Sequence, residues 1–226
     1  MKDLTLLYYT ANLVEEPFAT NVRNHLLSLF PEGVDIVSVS HKPMDFGKNI
    51  TVEGFEYCIY NIYRQILIGT REIKTKYVAC VEDDALYNTE HFSFRPPEDT
   101  FVYNINRWQV NPTLFFYRER INMSMCIAPT ELMLKTLELR FEKYPDPLPK
   151  EKTKGFVEPG KGEHIIGLPI VKLQTFKTKD PTLTFNHRPS LGGVRKLMNR
   201  DILQPELPAW GSANALWKKM YHEDGI

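Results

Sequence analysis

Between residues 4 and 84, apolar runs alternate between two periods, and the alternation ends on three acids. LTLLYY (4–9), VDIVSV (34–39) and VACV (78–81) are short, nearly continuous apolar runs, the pattern of strands buried on both faces. Between the first two, Phe18, Val22, Leu26, Leu29 and Phe30 recur at helical spacing behind Pro17. Phe55, Ile59, Ile62, Tyr63, Ile66 and Leu67 do the same over 53–69, closed near Gly69. The order β-α-β-α-β predicts an α/β chain whose parallel strands are covered by helices. SHKPMDFGKNI (40–50) reads as a loop.

That order decides where chemistry can sit. Open α/β sheets bind ligands outside the carboxyl ends of their strands. Thr10–Asn12, Ser40–Asn49 and Glu82-Asp83-Asp84 all follow strands, so they are expected on one edge. Three adjacent carboxylates repel one another and are costly to bury without a counter-charge. One reading is a solvated turn. The other is a cation: Mg²⁺-like ions bind one or two carboxylates together with substrate phosphates.

Further on, TFVYNI (100–105) and INMSMCIA (121–128) read as strands, and RWQVNPTLFFYRER between them as an aromatic, basic hairpin or wall. A helix is expected from Pro129–Thr130 to about Tyr144, with Met133, Leu134, Leu137 and Phe141 inward. Residues 145–163 are rich in Pro, Gly and Lys and read as a long loop. KLQTF and TLTF read as short strands, and 189–226 as an irregular tail with helical pieces. No repeat or linker divides the chain. One domain over 1–226 is expected, with a nucleotide-binding half (1–90), a second half (91–195) and a tail (196–226).

No apolar run approaches the ~20 residues that span a bilayer, and the start, MKDLTLLYYTANL, lacks a secretory pattern. Cys58, Cys80 and Cys126 lie in apolar surroundings without metal-ligand spacing. A cytoplasmic protein without a membrane partner is expected. Net charge is zero but uneven. Residues 82–106 hold six acids, while 186–200 hold Arg188, Arg195, Lys196 and Arg200 and no acid. This asymmetry suits a cation site facing an anion site.

A strand closing on acid-x-acid after a βαβαβ start resembles the GT-A class of nucleotide-sugar glycosyltransferases, whose DxD motif stands here as Glu82-Asp83-Asp84. LYYTAN, SVSHKPMDFGKNI, YRQILIGTREIKTKYVACVEDDALY, FVEPGKGEH and FNHRPSLGG together look like a branch of small phage and viral glycosyltransferases, over about residues 4–195. The resemblance implies a Rossmann-like mixed sheet flanked by helices, with an irregular C-terminal segment. It also implies Mn²⁺ or Mg²⁺, and a nucleoside-diphosphate sugar, foremost a UDP-sugar, as donor. Asp84 would hold the metal and Glu82 the metal or donor ribose. Asp83 would orient its neighbours or point elsewhere, and His187 would complete the metal or diphosphate site. Thr10, Asn12 and Asn49 would read the nucleoside. Arg64, beside Gln65, would face the donor, and Arg188 and Arg195 would meet phosphates. An inverting enzyme needs a base; Glu163, followed by apolar Ile165 and Ile166, is preferred over Glu158.

The acceptor expected first is a hydroxymethylated pyrimidine in DNA. Some viral relatives glycosylate hydroxymethylated pyrimidines in DNA, placing such an enzyme in the host cytoplasm. Eight lysines against four acids over 143–179, the bases of 186–200 (Arg195 and Lys196 among them), and Trp108 with Phe115, Phe116 and Tyr117 are compatible with DNA. Solvated lysines and a packed hairpin explain them equally, and saccharide or lipid-linked acceptors fit as well. A nucleotidyltransferase, a metal-dependent nuclease or a noncatalytic nucleotide-sugar-binding domain are the other classes. Against the first, YYTANLVEEP carries neither glycine nor a basic residue.

Overall fold

The computed structural model describes residues 2–145, 156–190 and 193–222. Its first half follows the expected order. Strand β1 (Leu4–Thr10) leads to helix α1 (Phe18–Ser28), β2 (Asp35–Ser40), β3 (Lys48–Thr51), α2 (Ile59–Thr70) and β4 (Tyr77–Glu82). Then come β5 (Ala85–Leu86), β6 (Thr100–Asn104), β7 (Arg107–Val110), β8 (Phe115–Tyr117), β9 (Cys126–Pro129) and α3 (Thr130–Lys143). The remainder supplies β10 (Lys172–Phe176), β11 (Thr182–Phe185), β12 (Ile202–Gln204), the pair β13 (Glu206–Leu207) and β14 (Gly211–Ser212), and α4 (Ala213–Met220).

Seven strands form a mixed sheet in the order β10-β6-β9-β4-β1-β2-β3, in which only β9 runs against its neighbours. Alternate residues of its central strands feed opposite cores. Leu7, Tyr9, Val78 and Cys80 pack with Tyr63 and Ile66 of α2 and Met133 and Leu137 of α3. Leu6, Tyr8, Ala79 and Val81 pack on the other face with Leu26 of α1 and Phe92. A fully buried side chain such as Leu7 stabilises by roughly 1.5–3 kcal/mol. At Gly69, a Cβ would collide with Leu7 and Val39, so glycine there sets how closely α2 approaches the sheet.

A second sheet, β12-β8-β7-β11-β5, stands beside the first and packs Leu183 and Phe185 against Phe18 and Val22 of α1 and Leu216 and Met220 of α4. Asn21 of α1 donates to the carbonyls of Met220 (3.0 Å) and His222 (2.9 Å), satisfying groups that the end of α4 leaves open.

Four expectations need correction. Lys48–Thr51, read as loop, is an edge strand, because the Asn49 amide bonds the hydroxyls of Ser38 (2.9 Å) and Ser40 (2.8 Å) across the pair. Helix α2 begins at Ile59 rather than at 53: Gly54 adopts φ +75 and Cys58 is extended, so Phe55 packs on the core from outside the helix. Residues 123–125 of the strand expected over 121–128 form a 3₁₀ turn capped by the Asn122 side chain. The tail is more regular than expected, since β12 pairs with β8. Of the loop expected at 145–163, residues 146–155 lie outside the described residues, as do Leu191 and Gly192 of FNHRPSLGG. Among the described residues no helix is long and apolar enough to cross a membrane.

Candidate active site

The acid triplet sits where the chain leaves one sheet for the other. Glu82 ends β4, Asp83 and Asp84 form the turn, and Ala85 opens β5 of the second sheet. The parallel register pairs Tyr9 with Glu82, which sets the turn at 10–12 beside the acids. The amide of Phe185 donates to the Asp84 carbonyl (2.8 Å), so β11 brings its own C-terminal residues to the same place. A cavity opens there. The first sheet lines it with Tyr9, Thr10 and the three acids, α2 with Gln65, and the second sheet with Arg107, Gln109 and Thr184.

Each acid is held differently. The Tyr9 hydroxyl donates to Glu82 Oε1 (2.6 Å), and Thr10 Oγ1 donates to Asp83. Burial, with the Asp84 charge added, pushes Glu82 up to about 8 and Asp83 up to about 7, against the opposing pull of those two hydroxyls. Asp84 Oδ2 accepts from Ser190 Oγ (3.1 Å) and lies 3.6 Å from His187 Nε2, too long for a hydrogen bond. Its other oxygen, Oδ1, is buried with no partner among the described residues, and so is His187 Nε2. The opposite face of that imidazole is fixed: Nδ1 meets the Tyr221 hydroxyl at 3.1 Å, and the ring lies 5.3 Å from Phe18.

The counter-charge comes from β7. Arg107, 4% exposed, donates through Nη1 to Thr184 Oγ1 (2.6 Å), while its Nε has no partner. Burial, and then the neighbouring Arg195, lower it to about 10, with Glu82 and Asp84 working the other way. Native proteins rarely leave buried polar atoms unpaired. Here three of them, Asp84 Oδ1, His187 Nε2 and Arg107 Nε, belong to residues grouped around this one turn. Two can bind a cation and one an anion.

Among the described residues no three His, Cys, Asp or Glu side chains are gathered as a self-sufficient metal cage. Asp84 and His187 offer a carboxylate oxygen and an imidazole nitrogen facing each other. That donor pair suits a divalent ion whose other ligands are phosphate oxygens and water, so the residues fit an ion that arrives with a phosphorylated ligand.

The expected residues divide sharply. Thr10, Glu82, Asp83, Asp84, Glu158 and Arg195 line the cavity, and His187 closes on it through Asp84. Asp83 lines both this cavity and the cleft beside it, with its carboxylate held by Thr10. Asn49 does not reach it, being occupied in holding β3 to β2. Arg64 lies on the outer side of α2 over the rings of Phe55 and Tyr60 (5.8 and 5.6 Å); the neighbouring Gln65 faces inward and donates to the carbonyl of Thr10 (2.9 Å). Asn12, at φ 53, accepts from the Lys42 amide (2.8 Å) and lines a neighbouring cleft with Tyr8 and Arg23, which shares Thr10 and Asp83 with the acid-lined cavity. The preferred base, Glu163, is misplaced by sequence reasoning. It is 2% exposed, paired with Arg140 of α3, and accepts from the Gly160 amide (2.9 Å). Arg188 is exposed over another cavity, Lys196 is exposed, and Trp108 packs on Tyr117 at 5.4 Å.

Sequence reasoning missed Arg107, Tyr9 and Ser190 as site residues. The signal for Arg107 was a charge opening a strand of otherwise buried character; a guanidinium there must meet either water or an acid.

No protein-family model matches the chain, and no curated protein is similar to it at a significant level. Solved structures with a related backbone include three of different kinds. The bifunctional IspDF from Campylobacter jejuni is 12% identical, with 81% of this chain and 52% of that chain covered, at a TM-score of 0.46. S. aureus TarS 1–349 is 12% identical, with 83% and 61% covered, at 0.46. The mannosyltransferase PcManGT from Pyrobaculum calidifontis, in complex with GDP-Man and Mn²⁺, is 13% identical, with 84% and 58% covered, at 0.46. The chain thus spans about half to three-fifths of the length of these structures. At such identities the likeness concerns the course of the backbone and assigns no activity.

Proposed function

We propose that this protein is a metal-dependent glycosyltransferase that moves a sugar from a nucleoside-diphosphate sugar to an acceptor hydroxyl. The observation that carries the reading is the trio of unpartnered buried atoms at the acid turn: a cation-binding pair, Asp84 and His187, grouped with the anion-binding Arg107. A diphosphate with its divalent ion satisfies all three at once. Mn²⁺ or Mg²⁺, when bound, stabilises the negative charge that develops on the departing diphosphate.

The chain's own residues do the rest. Asp84 and His187 hold the ion, with Glu82 behind them, and Arg107 meets a phosphate oxygen through Nε. Thr10, at the end of β1, faces the nucleoside. Tyr9 and Thr10 keep Glu82 and Asp83 oriented through their hydroxyls. Glu158 takes the base role in place of Glu163. It lines the cavity, where a carboxylate can accept the proton of an incoming hydroxyl. Residues 1–90 are then the donor half, and the second sheet with its following loops is the acceptor half.

The test is release of nucleoside diphosphate from a panel of UDP-, GDP- and dTDP-sugars in Mn²⁺, with and without chelator, in the wild type and Asp84→Asn. Chelator-sensitive release that is lost in the variant is the expected result. Pyrophosphate release from a nucleoside triphosphate and a sugar phosphate would replace the reading by a nucleotidyltransferase. Absence of both binding and turnover for every sugar nucleotide would end it.

A further inference from the structure

On the far side of His187 lies a second, larger cavity of ≈ 690 Å³, within the ~300–1,000 Å³ of typical small-ligand sites. It shares Val14, Asn186, Pro189 and Arg195 with the acid-lined cavity, so the two adjoin at the His187 loop. One wall is aromatic. Trp217 and Tyr221 of the α4 region stand 5.2 Å apart with their rings 31° from parallel, and Trp217 is backed by Phe185 at 5.5 Å. The facing rim is polar. The Glu15 carboxylate has no hydrogen-bond partner among the described residues, and Asn111 accepts through Oδ1 within its own turn while its amide nitrogen stays available.

We propose that this cavity is the acceptor subsite and that the acceptor is a saccharide. The inference rests on the glycosyltransferase reading above and names its substrate class. A pyranose presents a C–H face that packs on an aromatic ring, and an edge of hydroxyls that both donate and accept. Trp217 with Tyr221 supplies the ring, Glu15 an acceptor, and Asn111 and Arg188 donors, the mixed polar set that hydroxyl groups require. The hairpin that would have stacked on a displaced base is packed instead: Phe115 and Phe116 are buried in the fold.

The geometry also links the two steps. The Tyr221 hydroxyl that lines the acceptor cavity holds His187 Nδ1, while His187 Nε2 faces Asp84. An acceptor stacked on this wall therefore directs a hydroxyl past His187 toward the donor. Its oxygen forms the new bond to the anomeric carbon. The bond from that carbon to the diphosphate oxygen breaks, its electron pair leaves with the diphosphate, and the hydroxyl proton passes to Glu158.

Two readouts keep this separate from the donor reading. Diphosphate release into water reports the donor site; acceleration of that release by p-nitrophenyl mono- and disaccharides reports the second cavity. In the wild type these glycosides are expected to accelerate release. Glu15→Ala and Trp217→Phe are expected to raise the glycoside KM at least tenfold while the donor KM moves less than threefold. Glu15 is exposed, so its variant remains informative if the Trp217 variant folds poorly. An unchanged glycoside KM in both variants overturns the cavity assignment. Acceleration by an oligonucleotide containing hydroxymethylcytosine, and by no glycoside, overturns the saccharide class. If no sugar nucleotide is bound or turned over, the donor reading has failed on its own. Tryptophan fluorescence then decides the cavity: quenching by the same glycosides that is lost in Trp217→Phe upholds it, and no quenching overturns it.

Discussion

Among the described residues, the buried carboxylate of Glu163 and the half-buried acid turn at 82–84 are neutralised in opposite ways. Glu163 sits with Arg140 in a closed unit. The guanidinium is fully buried, stacks 5.1 Å from Tyr63 and 5.3 Å from Phe156, and donates to the Val157 carbonyl as well as to Glu163. Glu82, Asp83 and Asp84 are three carboxyl groups attended by two hydroxyls, one serine, one imidazole and one arginine whose Nε is unpaired among the described residues. The first group carries its counter-ion in the chain. The second is short of positive charge until something brings it. An acid that is fully satisfied by its own protein is structural, and an acid left wanting marks a place for a ligand.

The contrast is broken most severely by removing Arg140. Arg140→Ala leaves Glu163 uncompensated in the core and is expected to cost ~3–5 kcal/mol in denaturant unfolding. The double change Arg140→Met with Glu163→Leu should restore most of that loss, because the pair serves only the fold. Asp84→Asn should do the reverse. Turnover falls by about 10²–10³-fold, or ~2.7–4 kcal/mol of transition-state stabilisation, while the unfolding free energy is no lower than in the wild type, since a repelling charge has gone.

A smaller effect comes from the cation itself. Glu82 and Asp83 are raised in the folded protein, so their contribution to stability is fully present below about pH 4 and is lost as pH rises through about 7 and 8. A divalent ion favours the ionised forms and offsets that loss. Mn²⁺ at a hundredfold excess over its Kd should therefore stabilise by ~2.7 kcal/mol, and its effect on Tm should be larger at pH 8.5 than at pH 6. An equal shift at both would detach the ion from these acids. The mildest probe is Tyr9→Phe, which removes one hydrogen bond to Glu82 and should cost ~1 kcal/mol of stability. Because that hydroxyl lowers the Glu82 pKa, the rise of activity with pH should move to higher pH in this variant.

The same contrast explains what could be read from the chain alone. Strands β1 and β4 were legible because burial on both faces writes a nearly continuous apolar run, and the acid turn was legible because it ends one. Which acids meet a partner was not. Glu163, with Ile165 and Ile166 just beyond it, looks the same whether its carboxylate faces a cavity or an arginine 23 residues earlier on α3. The start of α2 was missed because Phe55 keeps the apolar spacing after the backbone has left the helix. Arg107 escaped notice because its role depends on the second sheet, whose pairing of β7 with β11 joins residues about 75 apart. Periodicity reports which faces are buried; it does not report what they are buried against.

The seam between the two sheets has a kinetic consequence. Ser190 reaches Asp84 across 106 residues of sequence, and Tyr221 holds His187 from the end of the described chain. Contacts of such separation demand that most of the chain be ordered first. The Asp84–His187 pair, proposed to hold the cation, is thus expected among the last features to assemble on refolding. An ion held there acts as a brake on opening rather than as a seed for folding, prolonging the life of the native state while hardly altering how fast it is reached.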